Sequence, residues 1–464
     1  MEGKSRHQST GHLAIIAILV VLSVSGASDT NEHPMLLVLS FDGLRADFLN
    51  EVLTPNLWKL AREGVWAPQG IRPQVVTVTA PNYYTISTGL YQENHGIVGN
   101  TFYDPDFKEM YDYWKLEDIE LAKKARDGKW YSGEPIWQTN EKAGRKAGAM
   151  RWPLCDARVN NMTMSRCFPW EDYGDLATWT NELDLLLSWF KDSKHPINLG
   201  FLYISEPDHT EHENDVYSPK VKAKLAELDA LVWNLQRKLK ALDLFDKMNI
   251  IFVADHGHAN VYTQHNLIDM DQILDPGDYI WSSKSIFPNP IRGVKVEDLY
   301  RKLEAARMRS PRFNVWLKQD VPERYHYKNN KRIGPIVLLE HLGYAFSDRA
   351  TAPRLFVYST HGYSNDYFEM RPAFFAAGPA FKRNVVIDWD IENVDLYSLM
   401  AAVLHVQPAR NDGNFTRVRP LLALNYTAHD QVGQLGGRAA TTRSGTAQVV
   451  MQFLVTCFLI CLVM

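Results

Sequence analysis

The sequence predicts an α/β fold with a mostly parallel central sheet that is covered by helices on both faces. Several apolar runs rich in β-branched residues have the character of buried strands, at residues 35–41, 198–204, 249–254 and 373–377. Amphipathic helix patterns lie between these runs. Alternation of this kind is typical of parallel sheets whose strands are joined by crossover helices.

Two of the helices have clear start and stop signals. Thr54 is a candidate N-cap, Pro55 suits the first turn, and Gly64 suits the end of that helix. A longer helix begins at Ser218-Pro219, and its apolar residues recur on one face at Val221, Leu225, Leu228, Val232, Leu235, Leu239 and Leu242. We interpret this helix as scaffold, because such spacing is typical of a helix that packs on a core.

Both ends of the chain carry targeting signals. Residues 1–27 contain Lys4 and Arg6, a short apolar run and a small-residue cleavage site, which together predict a secretory signal peptide; an uncleaved anchor is the alternative. Residues 449–464 are mostly apolar and follow a polar segment at 428–448 that contains small residues. This pattern predicts a glycolipid (GPI) anchor signal, with a spanning helix as the alternative. Either would place the body outside the cell at the plasma membrane, and a secreted protein is a further alternative.

The remaining residues, 28–427, are predicted to form one large domain, with an inserted lid subdomain at about 260–354. A formal net charge of -4 indicates no affinity for nucleic acid. In an oxidising exterior, Cys155 and Cys167 are expected to form a local disulfide. The sequons at Asn161, Asn414 and Asn425 are candidates for glycosylation.

Acidic residues and histidines follow the predicted strands. Ligands of α/β proteins bind beyond the carboxyl ends of parallel strands, so these residues are the ones expected to carry chemistry. They include Asp42 after the first run, Asp208, His209 and His212 after the second, Asp255, His256 and His258 after the third, and His361 farther along the chain. A lone Asp or His would be weak support, but three of each are enough for two zinc sites with open positions. Two such ions can clamp an in-line phosphoryl displacement.

A nucleophile is also needed, and the segment at residues 76–85 offers several hydroxyls. Thr77, Thr79 and Thr85 all lie in it. Spacing alone does not decide which hydroxyl would act.

Six motifs resemble those of the ectonucleotide pyrophosphatase/phosphodiesterase family, within the alkaline phosphatase superfamily. They lie at residues 41–43, 79–85, 89–91, 94–100, 255–257 and 361–363. Residues 196–200 and 320–328 further resemble the small members related to types four and five. The resemblance covers nearly the whole body, and it implies an alkaline phosphatase-like fold and a hydrolase that acts on phosphodiesters or phosphoanhydrides.

The resemblance also implies roles for individual residues. One zinc would be held by Asp42, Thr79, Asp255 and His256, and the other by Asp208, His212 and His361. Thr79 would be the nucleophile, forming a covalent nucleotide intermediate that water hydrolyses. Asn100 would donate a hydrogen bond to a non-bridging phosphate oxygen.

The chain departs from the family pattern at three positions. Val78 stands where many relatives have Lys, Glu211 replaces a Gly before a ligand, and Ser364 replaces an Asp. None of these removes an implied ligand. His209 and His258 lie close to the motifs, but we expect them to support the site or to lie on the surface, because the implied ligand positions are already filled.

The expected substrate is a small phosphodiester, with a nucleotide or dinucleotide preferred. A choline phosphodiester is the alternative, and it would need an aromatic and acidic cage, for which Trp137, Trp152 and Tyr173 are candidates. A catalytically silent ectodomain is a third possibility, which the complete set of Asp, His, Thr and Asn residues argues against.

Overall fold

The computed structural model describes residues 33–113, 124–170, 173–261, 266–347 and 358–423. The predicted signal peptide, the segments at 428–448 and 449–464, and Asn425 lie outside these ranges. Within the described ranges, every helix is too short or too polar to cross a bilayer.

The strands are numbered in chain order. They are β1 (Met35–Phe41), β2 (Val65–Ala67), β3 (Thr101–Asp104), β4 (Glu109–Asp112), β5 (Ala147–Met150), β6 (Arg166–Phe168), β7 (Leu199–Ile204), β8 (Met248–Val253), β9 (Ala259–Asn260), β10 (Leu267–Asp269), β11 (Tyr279–Ser282), β12 (Ser285–Pro288), β13 (Phe313–Leu317), β14 (Ile336–Glu340), β15 (Ala345–Ser347), β16 (Ser359–Thr360), β17 (Phe374–Ala377) and β18 (Val385–Val386).

The helices are numbered in the same way. They are α1 (Pro55–Glu63), α2 (Thr79–Thr88), α3 (Gln92–His95), α4 (Ile136–Lys142), α5 (Leu176–Phe190), α6 (Asp208–His212), α7 (Pro219–Ala241), α8 (Val296–Arg309), α9 (Leu396–Leu404) and α10 (Phe415–Val418).

The central sheet confirms the predicted fold class. Among the described residues it has eight strands in the order β18-β2-β17-β8-β1-β7-β5-β6. Strands β8, β1, β7, β5 and β6 run parallel to one another, whereas β17 is antiparallel to both of its neighbours. The four runs predicted as strands are β1, β7, β8 and β17, with ends that differ by at most one residue.

Helices cover both faces of this sheet, as the alternation of β1 shows. Leu36 and Val38 point into a core shared with α2 and α9, while Leu37 and Leu39 point into a second core shared with α1, α5 and α7. A strand that is buried on both faces reads as a continuous apolar run. The near-continuous apolar character of β1 therefore follows from its central place.

The two predicted helix starts differ in how they are capped. Ser218 caps α7 as predicted, since its side chain accepts from Val221 N. Thr54 makes no such bond with α1; its hydroxyl donates to Phe48 O instead. The first turn of α1 is capped by Asp229, which accepts from the backbone N of residues 56 and 57 at 2.9 Å.

A second, smaller sheet lies within residues 279–340. Its strand order is β11-β12-β14-β13, it is antiparallel, and α8 packs against it over an apolar cluster of its own. In the chain, this sheet comes after β9 and before β16, which pair with each other in antiparallel fashion. Strand β9 directly follows His258, and β16 directly precedes His361.

Cys155 and Cys167 are joined in a disulfide with a Cα–Cα distance of 5.8 Å. The side chains of Asn161 and Asn414 are exposed. Asn414 also caps α10 by accepting from Thr416 N.

Candidate active site

The site lies where three neighbouring parallel strands end. Strand β1 is hydrogen-bonded to β7 on one side and to β8 on the other. Asp42 follows β1 directly, Asp255 follows β8 after one residue, and Asp208 begins α6 shortly after β7. The parallel register thus brings three buried carboxylates to one edge of the sheet.

Gly43 permits this close approach. It has a φ of +73°, and a Cβ at this position would lie 3.0 Å from Asp208 Cβ and 3.2 Å from His258 Cδ2. Only glycine adopts this backbone conformation without strain and without displacing those side chains. Its amide N also donates to Asp255 Oδ1 at 3.2 Å, which ties two of the strand ends together.

The first group of side chains surrounds His256. Its Nε2 lies 2.9 Å from Asp255 Oδ2, 3.6 Å from Asp42 Oδ1 and 3.5 Å from Thr79 Oγ1. Asp42 Oδ2 accepts from the hydroxyl of Tyr203 at 2.6 Å, whereas its Oδ1 has no hydrogen-bond partner in the described part of the chain. His256, Asp255, Asp42 and Thr79 are the four residues implied for one zinc.

The surroundings of the three candidate threonines differ. Thr77 Oγ1 donates to Tyr363 O at 2.9 Å and accepts from Gly362 N, and Thr85 Oγ1 is bonded to His95 Nε2. Thr79 is the first residue of α2 and lies next to the carboxylate group. The Thr79 hydroxyl therefore contacts His256 of the first group, whereas the other two hydroxyls are bonded elsewhere.

The second group surrounds Asp208. His361 Nε2 lies 3.4 Å from Asp208 Oδ1, and His212 Nε2 lies 3.4 Å from Asp208 Oδ2. The rings of His256 and His361 stack at 3.7 Å, so the two groups adjoin. The three residues implied for the other zinc are thus together, with His212 on the more exposed side.

Burial and mutual charge shift the pKa values of these groups. Burial and the neighbouring Asp255 and Asp208 raise the pKa of Asp42 well above its usual value. Burial opposes ionisation of Asp208 too, but the imidazoles of His212 and His258 hold its pKa well below the usual value. Burial lowers the pKa of His258 to about 3. Crowded carboxylates beside imidazoles form a donor set that favours a cation.

Asn100 is oriented by the start of α2. Its Oδ1 accepts from Ala80 N at 2.8 Å, which leaves the Nδ2 protons for another acceptor. The side chain lines a cavity of about 340 Å³ together with Val78, Trp281, Lys284 and Phe346. Asn100 therefore contacts the first turn of α2, which begins at Thr79, and also lines the cavity.

The residues that depart from the family pattern have distinct surroundings. Val78 lines the cavity, and Ser364 is bonded to Asp366 Oδ2 and to the hydroxyl of Tyr325. Glu211 is fully buried beside His258, and both of its carboxyl oxygens lack a hydrogen-bond partner within the described ranges. His209 stacks on Tyr173 at 3.7 Å.

The residues present fit a metal centre. Single ligand atoms from Asp208, His256, His258 and His361 lie within 4.8 Å of one another, as do those from Asp42, Asp255 and His256. The unpartnered Oδ1 of Asp42 points to the same requirement, since a buried carboxylate oxygen without a donor is costly unless a cation compensates it. The arrangement can therefore hold metal ions against the Thr79 hydroxyl.

Sequence reasoning missed the cavity residues Trp281, Lys284 and Phe346. They lie within residues 260–354, the predicted insertion, where no motif marks them, and only the tertiary structure brings them beside Asn100. His258 belongs to the same cluster of ligand atoms as Asp208, although the resemblance implies no role for it. Its position two residues after His256, in the loop that follows β8, is the sequence signal that marks it.

A sequence model of the family described as type I phosphodiesterase / nucleotide pyrophosphatase matches residues 36–364. Bis(5'-adenosyl)-triphosphatase enpp4 of Xenopus laevis is 32% identical over 421 residues, which are 89% of this chain and 87% of that protein. Ectonucleotide pyrophosphatase/phosphodiesterase family member 5 of Homo sapiens is 32% identical over 418 residues, 88% of this chain and 83% of that protein.

A solved structure of murine ectonucleotide pyrophosphatase/phosphodiesterase 5 matches with a TM-score of 0.76 and 32% identity, covering 84% of this chain and 100% of that one. An inactive variant of the murine protein, with a threonine replaced by alanine and in complex with AMP, matches equally well. The family match, the relatives and the shared fold agree with the geometry of the site. The chain belongs to the ectonucleotide pyrophosphatase/phosphodiesterase family of hydrolases, in the alkaline phosphatase superfamily, near types four and five.

Proposed function

We propose that this chain hydrolyses phosphodiester or phosphoanhydride bonds of extracellular nucleotides, with Thr79 as the nucleophile and two zinc ions as cofactors. The observation that carries the proposal is the position of Thr79. Thr79 is the first residue of α2, and its hydroxyl oxygen lies 3.5 Å from His256 Nε2, beside two buried carboxylates.

Asp42, Thr79, Asp255 and His256 would hold one zinc, and Asp208, His212 and His361 the other. Bound zinc would lower the pKa of the threonine hydroxyl and offset the charge on the phosphoryl oxygens. A family whose members are metal-dependent and a cluster of Asp and His ligands support this assignment.

The reaction has two steps. Thr79 Oγ1, as the alkoxide after its proton has passed to water, attacks phosphorus, and the bond to the leaving group breaks. The resulting phosphodiester between Thr79 and the nucleotide is then hydrolysed by water, which restores the hydroxyl and releases a nucleoside monophosphate. Asn100 Nδ2 donates to the non-bridging oxygen in both steps, because Ala80 N already occupies the amide oxygen.

The cavity beside Asn100 supports a nucleotide as the substrate. Its volume of about 340 Å³ suits a small ligand. Trp281 and Phe346 line it with ring centroids 5.8 Å apart, offering aromatic surface for a base. Lys284, held by Glu340 at 2.7 Å, brings an ammonium group to the cavity beside Val78, where many relatives carry Lys.

The choline alternative has less support. Trp137 and Trp152 are each 3% exposed and belong to the hydrophobic core, so they do not line an open cage. Tyr173 is 42% exposed but stacks on His209. A nucleotide or dinucleotide is therefore the preferred substrate. The relative named as a bis(5'-adenosyl)-triphosphatase and the AMP complex support the same choice.

We also propose that the enzyme acts at the outer face of the plasma membrane, held by a glycolipid anchor. The predicted signal peptide and C-terminal anchor signal support this location. The disulfide between Cys155 and Cys167 and the exposed Asn161 and Asn414 suit that compartment.

The test is hydrolysis of a nitrophenyl ester of a nucleoside monophosphate by purified protein, with and without chelator. We expect activity that chelator abolishes, that Thr79→Ala abolishes, and that Thr79→Ser retains in part because a hydroxyl remains. Full activity in Thr79→Ala would refute the nucleophile assignment. Diadenosine polyphosphate, NAD and glycerophosphocholine, compared side by side, would rank the substrates, and turnover of none would favour a silent ectodomain.

A further inference from the structure

His258 has the geometry of a metal ligand, although it is outside the ligand set described above. It is fully buried, and its Nε2 lies 2.7 Å from Asp208 Oδ1. That distance is shorter than the 3.4 Å from the same oxygen to His361 Nε2. His258 is thus the imidazole that approaches Asp208 most closely of the three that surround it.

The hydrogen bond at the other ring nitrogen defines the tautomer of His258. Ser359 Oγ donates its single proton to Glu211 O at 2.6 Å. The bond of 3.0 Å between Ser359 Oγ and His258 Nδ1 must therefore use the proton on Nδ1. In the neutral ring Nε2 then carries a lone pair, and this lone pair faces the carboxylate of Asp208.

The three implied histidine ligands are held in the same way. Nδ1 of His212 lies 3.3 Å from Ser359 O, Nδ1 of His256 lies 3.2 Å from Gly257 O, and Nδ1 of His361 lies 3.0 Å from Thr77 O. Metal-bound histidines commonly donate their second ring N–H to such an oxygen, which orients the ring.

A buried histidine outside the site is held differently. His95 accepts at Nδ1 from Ile97 N and is bonded at Nε2 to Thr85, so both of its nitrogens are used within the core. The pattern shared by His258 and the implied ligands is therefore not a general property of buried histidines in this chain.

Glu211 gives a second, independent indication of a cation. Its side chain is fully buried, its Oε2 lies 4.0 Å from His258 Nε2, and neither carboxyl oxygen has a hydrogen-bond partner in the described residues. Burying an unpartnered carboxyl is costly, and a nearby cation would offset this cost.

We propose that His258 is a fourth protein ligand, through Nε2, of the zinc assigned to Asp208, His212 and His361. This inference rests on the proposed two-zinc site. Catalytic zinc commonly has three protein ligands and an open position, and it can expand to five-coordinate, so a fourth protein ligand would still leave a position for a water or phosphoryl oxygen. The Asp208 site would consequently retain its zinc more strongly than three ligands allow.

The test measures zinc binding rather than activity. Purified full-length protein is stripped of metal, and the dissociation constants of both zinc ions are determined by competition with a chromophoric chelator. In His258→Asn the amide N–H keeps the bond to Ser359, but the nitrogen proposed to bind zinc is lost. This variant therefore distinguishes loss of a zinc ligand from loss of a structural hydrogen bond. We expect one of the two constants to weaken by at least about 10-fold, since even partners of metal ligands have effects of that size.

His209→Ala is the matched control, because His209 neighbours Asp208 in sequence but stacks on Tyr173. We expect both of its zinc constants to equal those of the wild type. The spectrum of the cobalt-substituted protein gives a second readout: removal of Nε2 should change the visible bands of one bound Co²⁺. Circular dichroism of the metal-free variants checks that they fold.

Two results would count against the proposal in distinguishable ways. Two bound zinc ions with unchanged constants and an unchanged cobalt spectrum in His258→Asn would refute the inference alone. They would mean that Nε2 is protonated and donates to Asp208. Wild-type protein that binds no zinc would refute the proposed function and this inference together.

Discussion

Replacement of Asn100 tests whether its amide stabilises charge on the phosphoryl group. Two hydrogen-bonding roles meet in this side chain: Oδ1 accepts from Ala80 N at 2.8 Å at the start of α2, and Nδ2 is left for the substrate. Asn100→Asp keeps an acceptor for Ala80 N but replaces the donor with a second oxygen. Asn100→Ala removes both roles. The pair of variants therefore separates catalysis from stability.

The magnitudes follow from these contacts. Loss of one preorganised donor to a developing negative charge lowers kcat by about 100-fold to 1000-fold. We expect Asn100→Ala to fall in that range and Asn100→Asp to fall at least as far, because a carboxylate repels the phosphoryl oxygens. An unsatisfied backbone N–H costs about 1–3 kcal/mol where it is buried, so only Asn100→Ala should be less stable.

The assay combines initial rates on the nitrophenyl nucleotide ester with urea unfolding of each variant. Metal content is measured alongside, so that loss of zinc is not mistaken for loss of the donor. Wild-type kcat in Asn100→Asp, with both metals bound, would refute the proposed role of the amide. Equal destabilisation of the two variants would refute the role of Oδ1 as the acceptor for α2.

Two further predictions concern stability. Asp229→Ala should lower the free energy of unfolding by about 1 kcal/mol, because Asp229 caps α1 from α7; an unchanged urea midpoint would show that solvent replaces this cap. Burial lowers the pKa of His95 from 6.5 to about 3 in the folded chain. The unfolded chain therefore binds a proton below pH 6.5 that the folded chain excludes, and folding loses stability as pH falls from 6.5 towards 3. His95→Asn should lack this pH dependence. The difference in free energy of unfolding between wild type and variant, measured in chelator, should therefore shrink by up to about 1.4 kcal/mol for each pH unit below 6.5. A difference that is constant with pH would contradict the reasoning.

The sequence by itself was sufficient to predict the strands of the central sheet and the candidate Asp and His residues that follow them. The four apolar runs are strands of the central sheet, because a strand buried on both faces must be apolar throughout. The Asp and His residues that follow them converge because parallel strands end at one edge. Motif resemblance then singled out Thr79, and its hydroxyl contacts His256, whereas those of Thr77 and Thr85 are bonded elsewhere.

Interactions between distant segments were decided only by the tertiary structure. The cap of α1 comes from Asp229 rather than from the adjacent Thr54, since a carboxylate on a packed helix reaches the same amides. The ring of His258 is oriented by Ser359, which lies about a hundred residues away. The cavity beside Asn100 is likewise completed by Trp281 and Phe346, which are far from Asn100 in the sequence. Local patterns encode which residues are buried and where elements begin and end, whereas such contacts depend on how the elements pack.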